Sequence, residues 1–195
     1  MDVLSTKDVT VVSGHMDGSL RFWDVRSGDR TADIPGLHEG GVTSVQFDPV
    51  KSNYLLTNGR DSRLKITDVR MCNQVNTLQH RDFKTLFGWS SSCYSPDGKL
   101  FLFVLLFFLL NPYIFVSTHL HLSIIIKYWY VGKNVAAGSS SPGTVFIWKT
   151  VDGKLEKKIE NVHSAGVVGI AWGRGGSNGQ QVATVDKKGS MVLWA

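Results

Sequence analysis

Four segments of the chain repeat one pattern, and this repeat limits the possible folds more than any other feature of the sequence. Each copy joins a short apolar stretch, a tight turn and an alternating strand that ends in Trp or Thr. Trp23 and Thr67 end the first two copies and lie 44 residues apart, whereas Trp148 and Trp194 end the last two and lie 46 residues apart. A period of about 45 residues indicates several copies of one β-sheet unit.

Polar residues recur in a fixed order within the copies. The first copy reads VVSGHMDGSLRFWDVRSG and the second reads YLLTNGRDSRLKITDVR. A loop His, a Ser or Thr, a turn Asp and a strand Trp resemble the marks of WD40 repeats, whose four-stranded sheets form the blades of a β-propeller. The residues matched to this structural tetrad are Ser13, Asp17 and Trp23, then His38, Thr57 and Asp61, then Trp148, and finally His163, Thr184 and Trp194.

The tetrad predicts a hydrogen-bond network inside each blade. A buried Trp N–H needs an acceptor, a Ser or Thr hydroxyl supplies it, and the His relays the contact to the turn carboxylate. Several copies depart from the pattern. Thr67 stands at the Trp position of the second copy, Ser141-Pro142 fills the turn of the third, and Lys188 stands at the Asp position of the fourth. His80 is the candidate loop histidine of the third copy.

These repeats predict an all-β fold, a partial WD40 β-propeller of about three and a half blades. The first blade, the second and the start of the third occupy residues 1–100, and the rest of the third with the fourth occupies 135–195. A seven-bladed ring needs more than about 300 residues at this period, so we expect the chain not to close such a ring alone. Residues 1–10 are expected to be a truncated start of the first blade.

A hydrophobic block separates the two halves of the third copy. Thr67 and Trp148 are 81 residues apart, which is close to one period plus the 34 residues of 101–134. Removing this block joins SPDGKL to VAAGS, the turn and second strand expected at that point of a blade. We therefore interpret the block as an insertion. Its Phe, Leu, Ile and Tyr content is typical of translated T-rich noncoding sequence, which favours a retained intron.

Two other interpretations of the block stay open. Residues 100–126 contain no Asp, Glu, Lys or Arg, and a membrane protein spanning through 101–126 would have the roughly 20 apolar residues that a bilayer helix needs. Asn111-Pro112 would break that helix, and the flanks show little asymmetry of positive charge. The third possibility is an ordered strand or helix packed on the propeller.

The order of the copies carries a more specific resemblance. TDVR, GWSSSCYSPDG, VAAGS and VDKKG follow one another along the chain, and this combination is similar to the C-terminal WD40 repeats of the autophagy-related protein 16 family, most of all its plant members. The resemblance covers about residues 8–100 and 135–195. It implies a non-enzymatic scaffold of autophagosome assembly, cytoplasmic and recruited to the phagophore assembly site membrane. It also implies action with the autophagy-related 12–5 conjugate, through an N-terminal part that is not present in these residues.

The sequence contains no motif that indicates catalysis, a cofactor or nucleic acid. Its histidines are scattered, and neither a Gly-x-Ser-x-Gly elbow nor a Walker loop occurs. Cys72 and Cys93 lack the spacing of a zinc site or a disulfide framework. The formal net charge of +5 permits attraction to acidic partners but identifies none. We therefore expect a chain that is not an enzyme and has no cofactor or metal.

The turns predict a face for partner proteins. In the propellers that the chain resembles, the turn holding the Asp lies on a face used for binding. The candidate residues on this face are Met16, Arg60, Arg63, Lys187 and Lys188. Their positive charge predicts that acidic peptides bind there, and ordinary solvated turn charges are the alternative. The alternative function is that of a WD40 adaptor in another pathway, such as a ubiquitin-ligase substrate receptor.

Overall fold

The protein is built from antiparallel β-strands. The computed structural model describes residues 4–5, 10–49, 53–95, 134–140, 143–175 and 179–194, and these ranges contain no helix. The strands are β1 (Leu4–Ser5), β2 (Thr10–Gly14), β3 (Leu20–Asp24), β4 (Arg30–Ile34), β5 (Val42–Phe47), β6 (Tyr54–Gly59), β7 (Arg63–Asp68), β8 (Asn73–Leu78), β9 (Ser92–Tyr94), β10 (Asn134–Gly138), β11 (Gly143–Lys149), β12 (Leu155–His163), β13 (Val167–Gly175), β14 (Gly179–Asp186) and β15 (Met191–Trp194).

Each sheet is an antiparallel meander of consecutive strands. In the described part of the chain, β1–β4 form the first sheet, β5–β8 the second, β9–β12 the third and β13–β15 the fourth. Every copy found in the sequence thus folds as one sheet. The predicted all-β fold is confirmed.

The turn between β2 and β3 requires glycine where two sheets meet. Gly18 has a positive φ of 77°, and a Cβ at this position would lie 2.0 Å from the carbonyl oxygen of His38 in the next loop. Asp17 closes the turn by accepting a hydrogen bond from the backbone N–H of Ser19 at 3.0 Å. The Asp-Gly pair recognised in the sequence therefore forms the turn and also permits close approach of the following loop.

The hydrophobic core lies between the sheets. Successive side chains of a strand point to opposite faces, so Leu55 and Leu56 of β6, both 0% exposed, serve different interfaces. Leu55 packs in a cluster with Val12 and Phe22 of the first sheet, and Leu56 packs in a cluster with Phe146 of the third. Burial of each leucine contributes about 1.5–3 kcal/mol. The cluster between the third and fourth sheets comprises Cys93, Ala136, Val145, Val167 and Ile170.

The third sheet contains the connection that carries the hydrophobic block. β9 ends at Tyr94, β10 begins at Asn134, and Tyr94 pairs with Val135. The insertion predicted at 101–134 lies outside the described residues except for Asn134, and the membrane span proposed for 101–126 lies wholly outside them. Where the structure is described, it includes no helix of the length and apolar character needed to cross a bilayer.

Candidate protein-interaction face

Hairpin turns and loops of neighbouring sheets meet on one side of the protein. His38 N, in the loop before β5, donates to Gly18 O in the turn of the first sheet at 3.0 Å, and Arg60 N in the turn of the second sheet donates to Gly41 O of the same loop at 2.9 Å. This loop therefore joins the turns of two neighbouring sheets. The predicted turn at Ser141-Pro142 lies outside the described residues. We call this side the turn face; it comprises the turns 15–19, 60–62 and 187–190 with the loops 35–41, 79–91 and 164–166.

The first sheet contains a continuous chain of side-chain hydrogen bonds. Trp23 Nε1 donates to Ser13 Oγ at 2.8 Å, and His15 Nε2 lies 2.8 Å from the same oxygen. Arg21 Nη1 donates to His15 Nδ1 at 3.2 Å, so the imidazole carries its proton on Nε2 and donates it to Ser13. Arg21 also pairs with Asp17 at 3.0 Å. His15, which the sequence analysis did not assign to this network, therefore supplies the histidine from within the turn.

In the second sheet, His38 joins the turn carboxylate to the strand hydroxyl. His38 Nδ1 lies 3.0 Å from both carboxylate oxygens of Asp61, and Nε2 lies 2.8 Å from Thr57 Oγ1. Burial raises the pKa of Asp61. The hydrogen bond and charge of His38, together with two backbone amides, lower this pKa by more than burial raises it, so the pKa is below its ordinary value. The hydroxyl of Thr67 has no hydrogen-bond partner among the described residues, so the network ends at Thr57.

The fourth sheet repeats the bonds among Trp, Thr and His, and a buried carboxylate lies near the histidine without a hydrogen bond to its Nδ1 among the described residues. Trp194 Nε1 donates to Thr184 Oγ1 at 3.3 Å, and this oxygen lies 2.8 Å from His163 Nε2. Asp186 Oδ2 lies 3.5 Å from His163 Nδ1. Lys188 occupies the turn position where an Asp was expected, and its backbone N–H donates to Asp186 Oδ1 at 2.9 Å. Sequence reasoning missed Asp186 because it sought the acid at the spacing of the earlier copies.

The third sheet replaces the network with aromatic packing. Ala137, paired with Phe146, stands at the ladder position that Ser or Thr holds in the other three sheets. Trp148 Nε1 accordingly has no hydrogen-bond partner among the described residues. Trp148 is 0% exposed and meets Phe83 edge-on, with ring centroids 5.2 Å apart. His80 contacts the Phe146 ring, centroid to centroid at 5.3 Å, instead of a strand hydroxyl.

The five residues predicted for partner binding differ in their surroundings. Met16 is 74% exposed, and the side chains of Arg60, Lys187 and Lys188 are also exposed. Arg63 is half-buried, and its guanidinium is paired with a carboxylate 3.0 Å away. Ion pairs between described residues involve none of the three exposed cations. Positive charge on the turn face is therefore available to a partner.

An exposed apolar loop on the turn face was not predicted from the sequence. Leu86 and Trp89 are 56% and 63% exposed. Phe87 stacks on Trp89 with ring centroids 5.6 Å apart and planes inclined by 6°, and Lys187 Nζ lies 4.8 Å from the centre of the Phe87 ring. The sequence analysis used GWSSS only as part of a family resemblance. The sequence signal for this loop is a group of large apolar residues around a glycine, outside any alternating strand.

The thiols and acids of the described residues show no arrangement for metal chemistry. The described residues contain no group of three or more His, Cys, Asp and Glu side chains placed to bind a metal ion. Cys72 is exposed and free. Burial raises the pKa of the Cys93 thiol to about 12, so this side chain stays neutral and serves as an apolar core residue.

These observations define the class of protein. Stacked antiparallel sheets, each folded from one repeat, together with Ser or Thr hydroxyls bonded to histidines, are the features of WD40 blades. The chain is a partial WD40-like β-propeller.

Similarity to curated proteins indicates the family that the chain resembles. The chain is 29% identical to Protein tipD of Dictyostelium discoideum, over 84% of this chain and 21% of that protein. It is 29% identical to Autophagy-related protein 16 of Arabidopsis thaliana, over 98% and 30% of the respective chains, and 28% identical to Protein Atg16l2 of Mus musculus, over 96% and 23%. The resemblance to the autophagy-related protein 16 family is confirmed, and the chain spans between about a fifth and a third of these relatives. No family model matches the chain.

A solved structure shows the same fold. The crystal structure of the computationally designed Ika4 protein superposes with a TM-score of 0.61, at 19% sequence identity, over 99% of this chain and 90% of that chain. At this identity the likeness concerns the backbone arrangement alone.

Proposed function

We propose that the chain is a non-enzymatic protein-interaction scaffold of the autophagy machinery. Its similarity to relatives named Autophagy-related protein 16 and Atg16l2 extends over nearly the whole chain. The same family inference supports the absence of catalysis. A WD40-like fold suits this role, because its turns and loops present a broad surface fixed by rigid sheets.

One observation carries the proposal for partner binding: the turn face presents cations that other described side chains do not neutralise. Arg60, Lys187 and Lys188 are exposed and outside the ion pairs of the described residues. Met16, 74% exposed in the turn of the first sheet, adds an adaptable apolar contact on the same face. Opposite charge steers association and selects partners. The face is therefore suited to an acidic segment of another protein.

The scaffold acts, in this proposal, in autophagosome assembly together with the autophagy-related 12–5 conjugate. This partnership is supported by the family resemblance, in which the conjugate binds a part that precedes the propeller. The resemblance also supports a cytoplasmic protein that is recruited to the phagophore assembly site membrane. The task of the propeller there is to dock further proteins.

Recruitment in starved cells tests the proposal. The affinity-tagged natural gene product is expected to collect at phagophore sites and to co-purify with the 12–5 conjugate. Reversing Arg60 and Lys188 to Glu is expected to leave the conjugate bound and to reduce retention of propeller partners about tenfold. A matched control reverses Arg26 and Lys154, which lie on hairpins at the opposite ends of the strands. Absence of recruitment, or equal retention by all variants, would contradict the proposal.

A further inference from the structure

The loop 86–89, which we call the aromatic loop, exposes apolar surface on the turn face. Leu86 and Trp89 are 56% and 63% exposed, although large apolar side chains are usually buried. Phe87 lies beneath this surface, half-buried and stacked on Trp89 at a centroid distance of 5.6 Å. Exposed tryptophans on a rigid support are typical of the anchor points at which proteins bind one another.

Hydrogen bonds to two sheets hold the aromatic loop in place. Leu86 N donates to Ser140 Oγ at 2.9 Å, and Ser91 N, just beyond the loop, donates to Val168 O at 3.1 Å. The loop is thus fastened to the third sheet on one side and the fourth on the other. A surface fixed in this way loses little conformational entropy when a partner binds.

A lysine of the fourth sheet borders the aromatic loop, and a turn of the second sheet is bonded to the residue just before it. Lys187 Nζ of the fourth sheet lies 4.8 Å from the Phe87 ring centre. Thr85 N donates to Ser62 Oγ at 3.1 Å, which brings the turn of the second sheet, with Arg60, next to the loop. The exposed apolar side chains therefore lie beside Lys187 and close to the turn that contains Arg60.

Four acidic side chains on the same face already have basic or histidine neighbours. Asp61 and Asp186 are buried against histidines, Glu39 pairs with Arg63, and Asp82 pairs with Lys158; the corresponding distances are 3.0, 3.5, 3.0 and 2.9 Å. Ion pairs between described residues include neither Arg60 nor Lys187. Positive charge therefore remains available to a partner next to the aromatic loop.

We propose that the aromatic loop is the docking site for an acidic segment of a partner protein that carries a bulky apolar side chain. The apolar side chain packs on Trp89 and Leu86, and the flanking carboxylates pair with Lys187 and Arg60. This inference rests on the proposed function, in which the turn face binds proteins, and identifies the part of the face and the chemistry of the segment. Positive charge alone would also attract phosphates, but the apolar anchor favours a peptide.

A labelled synthetic octapeptide, Glu-Asp-Glu-Phe-Glu-Asp-Leu-Glu, tests the site by fluorescence anisotropy with the whole chain. We expect saturable binding, at least about tenfold weaker when Phe and Leu of the peptide are replaced by Ala, or its acids by Lys. Trp89→Ala and Lys187→Glu are each expected to weaken binding about tenfold. Val151→Ala is the matched control, because Val151 is 73% exposed on a hairpin at the other end of the strands.

The inference would be overturned if Trp89→Ala bound the peptide as tightly as the original chain does. It would also be overturned if the original chain bound the Ala-substituted peptide, or an oligothymidine probe, as tightly as the original peptide. Unchanged melting temperatures show that the variants fold. Leu86→Ser provides a second variant at an exposed position. If the peptide binds through Trp89 but the protein is not recruited to phagophores, the docking site stands and the autophagy role falls. If the protein is recruited to phagophores but does not bind the peptide, the autophagy role is supported and the docking site is refuted.

Discussion

Ser95 and Asn134 are joined by two reciprocal hydrogen bonds although 38 residues separate them in the chain. Ser95 N donates to Asn134 O at 2.8 Å, and Asn134 N donates to Ser95 Oγ at 2.9 Å. The two residues close the ladder between β9 and β10, in which Tyr94 faces Val135. The connection that contains the hydrophobic block therefore leaves and re-enters the third sheet at neighbouring points.

Deleting residues 101–133 is expected to preserve the β-sheet fold, because residues 96–100 then form a five-residue hairpin connection of ordinary length. The far-UV circular dichroism spectrum should remain that of a β protein, and solubility should rise because an apolar run of strand-forming residues is removed. Deleting 101–136 is the control, since it also removes the start of β10. A deletion of 101–133 that unfolds the chain would contradict the insertion model.

Ala137→Ser is expected to raise the free energy of unfolding by about 1 kcal/mol. The new hydroxyl would stand where Ser13 accepts the Trp23 N–H in the first sheet and would offer Trp148 Nε1 its missing acceptor. Urea denaturation measures the change. Ala136→Ser is the matched control: it is equally buried, but it faces the other side of the strand, so its hydroxyl is expected to cost about 1–3 kcal/mol. Equal destabilisation by both substitutions would refute the explanation.

Lowering the pH is expected to destabilise the second sheet, because it protonates the Asp61 carboxylate. The folded pKa of this carboxyl is below its ordinary value of 3.8, so its stabilising contribution is full above that value and is lost as the pH falls through the folded pKa. Asp61→Asn should cost about 2 kcal/mol at pH 7 and make stability fall less steeply with pH below 4. Urea titrations at pH 7, 4 and 3 measure this. A parallel pH profile in the variant would count against the His38–Asp61 pair.

Polar substitutions at the outer surface of the fourth sheet are expected to be tolerated. Met191 and Leu193 are 68% and 61% exposed, whereas Leu64 and Ile66, at the same ladder positions of the second sheet, are 0% and 5% exposed. Met191→Glu with Leu193→Lys should change stability by less than about 0.5 kcal/mol and reduce light scattering at high protein concentration.

The matched control for the fourth sheet is the pair Leu64→Glu and Ile66→Lys, which should prevent folding because it buries charges between sheets. If the substitutions in the fourth sheet unfold the chain as well, Met191 and Leu193 do not lie on an open surface.

The sequence by itself determined the features that depend on local spacing. The alternation of each strand and the Asp17-Gly18 turn predicted the hairpins, because these patterns act within a few residues of the chain. The period of the copies predicted that the hairpins belong to successive sheets. Ser13 with Trp23, His38 with Thr57 and Asp61, and His163 with Thr184 and Trp194 meet across a single sheet. The ten-residue separation of Ser13 and Trp23 recurs between Thr184 and Trp194, and the order of His before Ser or Thr recurs in two copies, so the repeat indicated these pairs.

Only the tertiary structure decided which groups share space across loops and sheets. Asp186 lies 3.5 Å from His163 because the ladder between β13 and β14 places it opposite Val167, near the loop that holds this histidine, and the spacing of the other copies does not reveal this position. The loop that exposes Trp89 is held by hydrogen bonds from Leu86 N to Ser140, just after β10, and from Ser91 N to Val168 of β13. Such contacts join residues far apart in the chain, and their geometry follows from how the sheets stack.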